Sequence, residues 1–219
     1  MAQRVVEQGT DVIYEDARGK QRNLGAGFSP VLTAGGSIAL LRGRKHGYGD
    51  KFDCRSKETK NWVAIYNPLT NSERVLFDRT IPFDEGKWKF CAFEQMQLSP
   101  DGSMLYLVSP VYATAGSLAI IHLDRDTIDY VPGVNNVFVI LKGIHRGELI
   151  YDRRMYQQFS GELGSYVYPF VHASAEGQPI QVVSQDEYFT TGGEPKAPML
   201  GAYLRHIGGQ IIVNGNSFP

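Results

Sequence analysis

Apolar residues recur along this chain with a period of two, or in short runs bounded by Gly, Pro, Asn and Asp. That is the signature of strands and turns. No stretch reads as an amphipathic helix, so the pattern predicts strands throughout. Four segments share one unit: an apolar strand, a polar turn and a second short strand. Residues 62–66 turn through Asn67-Pro68-Leu69-Thr70-Asn71 into 73–77. Residues 118–122 turn through 124–127 into 128–131, and 166–171 through 173–178 into 179–183. At the N-terminus, 11–14 turn through 15–20 into 21–24. A further hairpin precedes each of the first three units. It joins 30–33 to 37–41 across Ala34-Gly35-Gly36, 96–98 to 104–108 across Ser99-Pro100-Asp101-Gly102, and 137–141 to 149–152 across 142–147.

A last hairpin, 202–205 and 210–213 across Gly208-Gly209, lacks an outer pair of strands, while 11–24 lacks an inner pair. The two halves add up to one four-stranded unit. The third strands begin near residues 11, 62, 118 and 166, a repeat of about 50 residues that suits propeller blades. The expectation is therefore an all-β domain spanning 1–219, a small β-propeller of about four blades. N-terminal strands 3–24 would close it by pairing with 202–213 to complete the C-terminal blade. Closure would remove the free edge that an open sheet exposes. The run Leu98-Ser99-Pro100-Asp101-Gly102, followed by Met104-Leu105-Tyr106-Leu107, resembles the repeat of TolB-type propellers. Phe28-Ser29-Pro30 followed by Gly35-Gly36 is a degenerate echo of it. The resemblance implies a fold and leaves function open. The alternative architecture is a β-sandwich with a Gly-rich outer hairpin.

Composition removes several classes of function. The 219 residues carry a net charge of −1, from 22 Lys+Arg and 23 Asp+Glu. No basic surplus points to nucleic acid. No apolar run approaches the roughly 20 residues that span a bilayer, so no membrane insertion is expected. Met1-Ala2-Gln3-Arg4 does not open a signal-peptide pattern, so a periplasmic or secreted location requires a signal removed beforehand. Cys54 and Cys91 fit no zinc spacing. They fall in loops expected to rise on the same face of neighbouring blades. A disulfide there would indicate a periplasmic or secreted protein, whereas two reduced thiols would leave a cytoplasmic location open.

Candidate chemistry gathers on that face. The connection 42–60 holds His46, Tyr48, Asp50, Asp53 and Arg55, and 78–90 holds Asp84, Glu85, Lys87 and Trp88. Tyr112, Arg153, Arg154, Tyr156 and Tyr188 complete the set. The opposite face receives tight turns. His46 with Asp50 or Asp53 could pair as acid and base, but no partnered nucleophile accompanies them. Asp84 and Glu85 are adjacent and cannot flank a glycosidic bond without a third carboxylate. His122, His145, His172 and His206 fall in or beside strands and read as packing or exposed residues. No ligand spacing supports a metal, and no cofactor is indicated.

Tyr, Trp and Arg supply the contacts that dominate protein interfaces. His46, Tyr48, Asp53, Trp88, Tyr112, Arg153, Arg154, Tyr156 and Tyr188 are accordingly expected to bind another protein, such as a toxin or effector. The second reading is a periplasmic or secreted enzyme acting on a saccharide or peptide at the channel mouth.

Overall fold

The computed structural model describes residues 2–45, 61–77, 92–112, 115–125, 127–157, 165–183, 197–213 and 216–218. The first three strands, β1 (Arg4–Gln8), β2 (Asp11–Glu15) and β3 (Gln21–Ala26), form an antiparallel sheet in that order. A four-stranded meander follows: β4 (Phe28–Leu32), β5 (Ile38–Gly43), β6 (Asn61–Asn67) and β7 (Ser72–Phe77). The next contains β8 (Gln95–Leu98), β9 (Met104–Tyr112), β10 (Ala115–His122) and β11 (Thr127–Pro132). In the last, β12 (Val134–Val139) and β13 (Leu149–Arg153) are followed by an inserted two-stranded ribbon, β14 (Met155–Gln157) and β15 (Ser165–Val167). The chain then returns to that sheet as β16 (Phe170–Ala173) and β17 (Pro179–Val182). Helix α1 (Ala197–His206) and a hairpin of β18 (Ile211–Val213) and β19 (Asn216–Phe218) come last.

The sheets pack face to face, which explains why their middle strands read as unbroken apolar runs. A strand buried on both faces has no polar side to alternate with. In β5, Ile38 and Leu40 point to one face and meet Val12 and Tyr14. Ala39 and Leu41 point to the other and join Leu105, Leu107 and Ala119. In β9, Tyr106 and Val108 turn away from those leucines toward Val137, Val139, Leu149 and Tyr151. At the inner edge, the Gln97 amide donates to the Val137 carbonyl (2.6 Å) and accepts from the Val139 N–H (3.0 Å), coupling β8 to β12.

The Ser99–Gly102 turn shows what its motif does. Asp101 accepts from the Ser99 hydroxyl (2.5 Å) and the Ser103 N–H (3.1 Å), while Ser99 Oγ accepts from the Met104 N–H (2.9 Å). These bonds, led by that from Ser99, hold the Asp101 carboxyl below the usual carboxylate range. Gly102 has φ of +75°, and a Cβ there would lie 2.5 Å from Ala34 Cβ in the preceding sheet's turn. Both the backbone conformation and the close approach require glycine.

The ends of the chain differ from the expected closure. Residues 202–205 are helical, and among the described residues β1–β3 pair only with one another. Leu200, Tyr203, Leu204 and Ile207 recur at helical spacing and face Ile140, Ile150, Phe170 and Ile211. Arg205 and His206 lie in the helix's last turn, where cations are favoured. Gly208 (φ +64°) follows, and the Gly209 N–H returns to the Leu204 carbonyl at 2.8 Å, a glycine C-cap. The β1–β3 sheet is fixed to its neighbour by side chains instead. Arg22 reaches Tyr66 Oη (2.6 Å) and Asn71 (3.1 Å), and Arg42 reaches the Leu24 carbonyl (2.8 Å) and Glu73. The predicted strand 166–171 is two strands, because Tyr166 belongs to the inserted ribbon and Phe170 begins β16.

Candidate functional site

The ribbon β14–β15 stands at the end of the third four-stranded sheet where the richer loops were expected. Tyr156 and Tyr166 are direct cross-strand partners. Their rings meet edge to face at 5.4 Å, and the Arg154 guanidinium lies 3.6 Å from the centre of the Tyr166 ring. Aromatic pairs and arginine–ring contacts of this kind are each attractive beyond the area they bury. The side chains nevertheless remain open to solvent: Tyr156 is 61% exposed, Tyr166 48% and Met155 41%.

The base of this ribbon is held by main-chain hydrogen bonds. The Arg154 N–H donates to the Gly133 carbonyl (2.7 Å), and the Gly133 N–H donates to the Gly116 carbonyl (3.0 Å). The Arg153 N–H donates to the Pro169 carbonyl (3.0 Å). Between them lies Asp152, buried. It accepts from the backbone of Asn135 (2.9 Å) and Asn136 (2.7 Å) and from the Asn136 side-chain amide (2.9 Å). Burial pushes the Asp152 carboxyl above its usual range, outweighing these bonds, which favour the charged form.

Of the residues expected to bind, the structure brings Arg153, Arg154 and Tyr156 to this one end and adds Tyr166. Arg153 is half-buried beside the Tyr151 hydroxyl, whose pKa burial raises, so it supports the ribbon more than it presents a surface. Tyr112 ends β9. His46, Tyr48, Asp53, Trp88 and Tyr188 lie outside the described residues, as do Cys54 and Cys91 with their proposed disulfide. The apolar pattern places Tyr166 at the start of a strand 166–171; its exposure follows from the break between β15 and β16 at Tyr168-Pro169, which period-two reading does not detect.

A second constellation occupies the opposite end of the same sheet. His145 and Glu148 lie in the turn joining β12 to β13, and His172 lies on β16 opposite Ile150. Glu148 Oε2 is 3.0 Å from His145 Nδ1 and 2.6 Å from His172 Nε2. His172 Nδ1 is 2.7 Å from the Tyr203 hydroxyl on α1. Burial holds the His172 pKa below that of an ordinary imidazole, against the Glu148 carboxylate beside it, and raises that of Tyr203. The sequence hid this group because its parts are separated by 24 residues and meet only through β13–β16 pairing and helix docking. The local signal was His145 and Glu148, three apart in a Gly-bounded turn.

No family model and no curated protein sequence matches the chain. Solved structures do. The β-propeller domain of the Trilobed protease from Pyrococcus furiosus, which has an open velcro topology, superposes with a TM-score of 0.51 at 9% identity. The match covers 99% of this chain and 66% of that one. TolB from Acinetobacter baumannii gives a TM-score of 0.46 at 10% identity, covering 88% of this chain and 41% of that one. The chain thus spans just under two thirds of the first and about two fifths of the second. At such identity the likeness concerns the fold: this is a protein of β-propeller type. The TolB-type resemblance carried by Leu98–Gly102 is likewise one of fold.

Proposed function

We propose that the chain is a recognition propeller that binds another protein through the ribbon β14–β15, in an inhibitor-like or scaffold role. The observation that carries this reading is the solvent-open pair Tyr156 and Tyr166 on one face of the ribbon, with Arg154 stacked on Tyr166. Clustered exposed apolar side chains mark interaction sites, and Tyr and Arg are the residue types that concentrate interface energy. The hydrogen-bonded base at Gly133, Asp152 and Pro169 pre-forms the surface, which lowers the ordering cost of binding. The enzyme reading has less support at this end. Asp152, the carboxylate at the foot of the ribbon, is buried and already accepts three hydrogen bonds, so it is not offered to a substrate.

Paired affinity capture from the native organism tests this. With wild type and Tyr166→Ala as baits, wild type is expected to retain a protein partner that the variant loses. The affinity of the purified pair should fall by about 1–3 kcal/mol with the melting temperature little changed. Equal retention by both baits would place the contact surface elsewhere.

A further inference from the structure

We propose that His145, Glu148 and His172 form a binding site for a divalent transition-metal ion of the zinc type, with Tyr203 orienting His172 from outside the coordination sphere. Their ligand atoms all lie within 4.8 Å of one another. The two imidazoles approach Glu148 from nearly perpendicular planes (87°) with ring centres 4.9 Å apart. Both ring nitrogens approach the same Glu148 oxygen, Oε2, from rings set nearly at right angles, as separate coordination positions require. Two neutral histidines and one carboxylate are a donor set that suits zinc and its neighbours. Three protein ligands leave a position for water or a ligand group, the pattern of an open site.

The state of His172 Nε2 points the same way. It is buried and 2.6 Å from Glu148 Oε2, yet it makes no aligned hydrogen bond. A buried imidazole nitrogen without an aligned partner is costly, and an ion placed between it and the carboxylate would satisfy both. An ion at about 2.0–2.1 Å from each donor would space the donors roughly 3.3 Å apart. Starting from the observed 2.6 Å and 3.0 Å, they would part by under about 1 Å. Tyr203 completes the arrangement. Metal-bound histidines usually donate their other ring N–H to a fixed acceptor, and the hydroxyl stands 2.7 Å from Nδ1. Access is open from one side. The side chains of His145 and Glu148 are each 30% exposed while that of His172 is 1%. A depression of about 190 Å³ between Ser99, Asp101, Arg146 and Ala175 also reaches Glu148. The site lies at the other end of the sheet from the aromatic ribbon and stands independently of it.

The test is calorimetric titration of zinc chloride into tag-free, chelator-stripped full-length protein, with cobalt(II) absorption as a second readout. One ion per chain is expected at this site, with the intense visible bands of low-coordinate cobalt. His145→Ala and Glu148→Gln should each weaken zinc binding on the order of 100-fold. Tyr203→Phe should weaken it on the order of 10-fold, the usual effect of an outer partner. His145 and Glu148 are partly exposed, so these variants keep the test decisive where His172→Ala fails to fold. Failure of wild type to bind zinc, or binding unaffected by both His145→Ala and Glu148→Gln, would overturn the site and leave the three side chains as a polar packing cluster.

Discussion

Replacing Asp152 with Ala is expected to destabilise the protein by about 3–4 kcal/mol, among the larger effects of a single change. The carboxylate takes three hydrogen bonds from Asn135 and Asn136 at the corner between the second and third four-stranded sheets. Its loss would leave donors in that corner without an acceptor, at roughly 1–3 kcal/mol for each that stays buried. Asp152→Asn retains one acceptor oxygen, and Asn136 can turn its amide to match, so that loss should be nearer 1 kcal/mol. The two variants also separate by pH. The folded pKa of Asp152 is raised above its unfolded value by burial. The folded state therefore holds the extra proton across the window between those values. Stability from this group is full below the ordinary carboxylate range and falls as pH rises through that window. Asp152→Asn should remove this slope. Urea unfolding of the three proteins across that range measures both effects, and a loss under about 1 kcal/mol for Asp152→Ala would show that the corner is held by other contacts.

The second large effect belongs to Gly116. It sits at a register shift between β9 and β10, and a Cβ there would lie 2.5 Å from the Val134 carbonyl oxygen and 2.9 Å from that of Ser109. Both are main-chain atoms that no rotamer change can move aside. Gly116 also takes part in the corner, donating to Asn135 Oδ1 (2.8 Å) and accepting from Gly133 (3.0 Å). Gly116→Ala should cost about 2–3 kcal/mol and lower the melting temperature by roughly 5–10 °C for a chain of this size. Gly35→Ala, where a Cβ meets nothing within 4 Å, is the control and should melt within about 2 °C of wild type. Equal melting of the two variants would contradict the close approach.

Sequence and structure agree where the physics is local. The strands around Leu40, Leu107, Ile120 and Ile150 are legible because burial on both faces demands continuous apolar runs, and the Ser99–Gly102 turn announces itself through side chains that bond their own backbone. The helix was missed because Leu200, Tyr203, Leu204 and Ile207 occupy one short stretch beside Gly208-Gly209, where a hairpin reading looks equally good. Only docking against Ile150 and Phe170 decides it. The same docking brings Tyr203 onto His172, two residues that share no local pattern. Arg154 and Tyr156 stood out as large amphipathic residues in a connection, whereas Tyr166 became visible as their partner only through the register of β14 and β15.

The recognition reading is tested most directly by placing a photo-reactive phenylalanine analogue at Tyr156, on the ribbon, and separately at Leu69, which is 92% exposed in a turn at the opposite end of its sheet. Irradiation in the native host should cross-link the Tyr156 derivative to a discrete protein partner. That band should disappear when Tyr166→Ala is added, and the Leu69 derivative should not form it. The absence of any adduct from Tyr156, or the same adduct from both positions, would contradict the account.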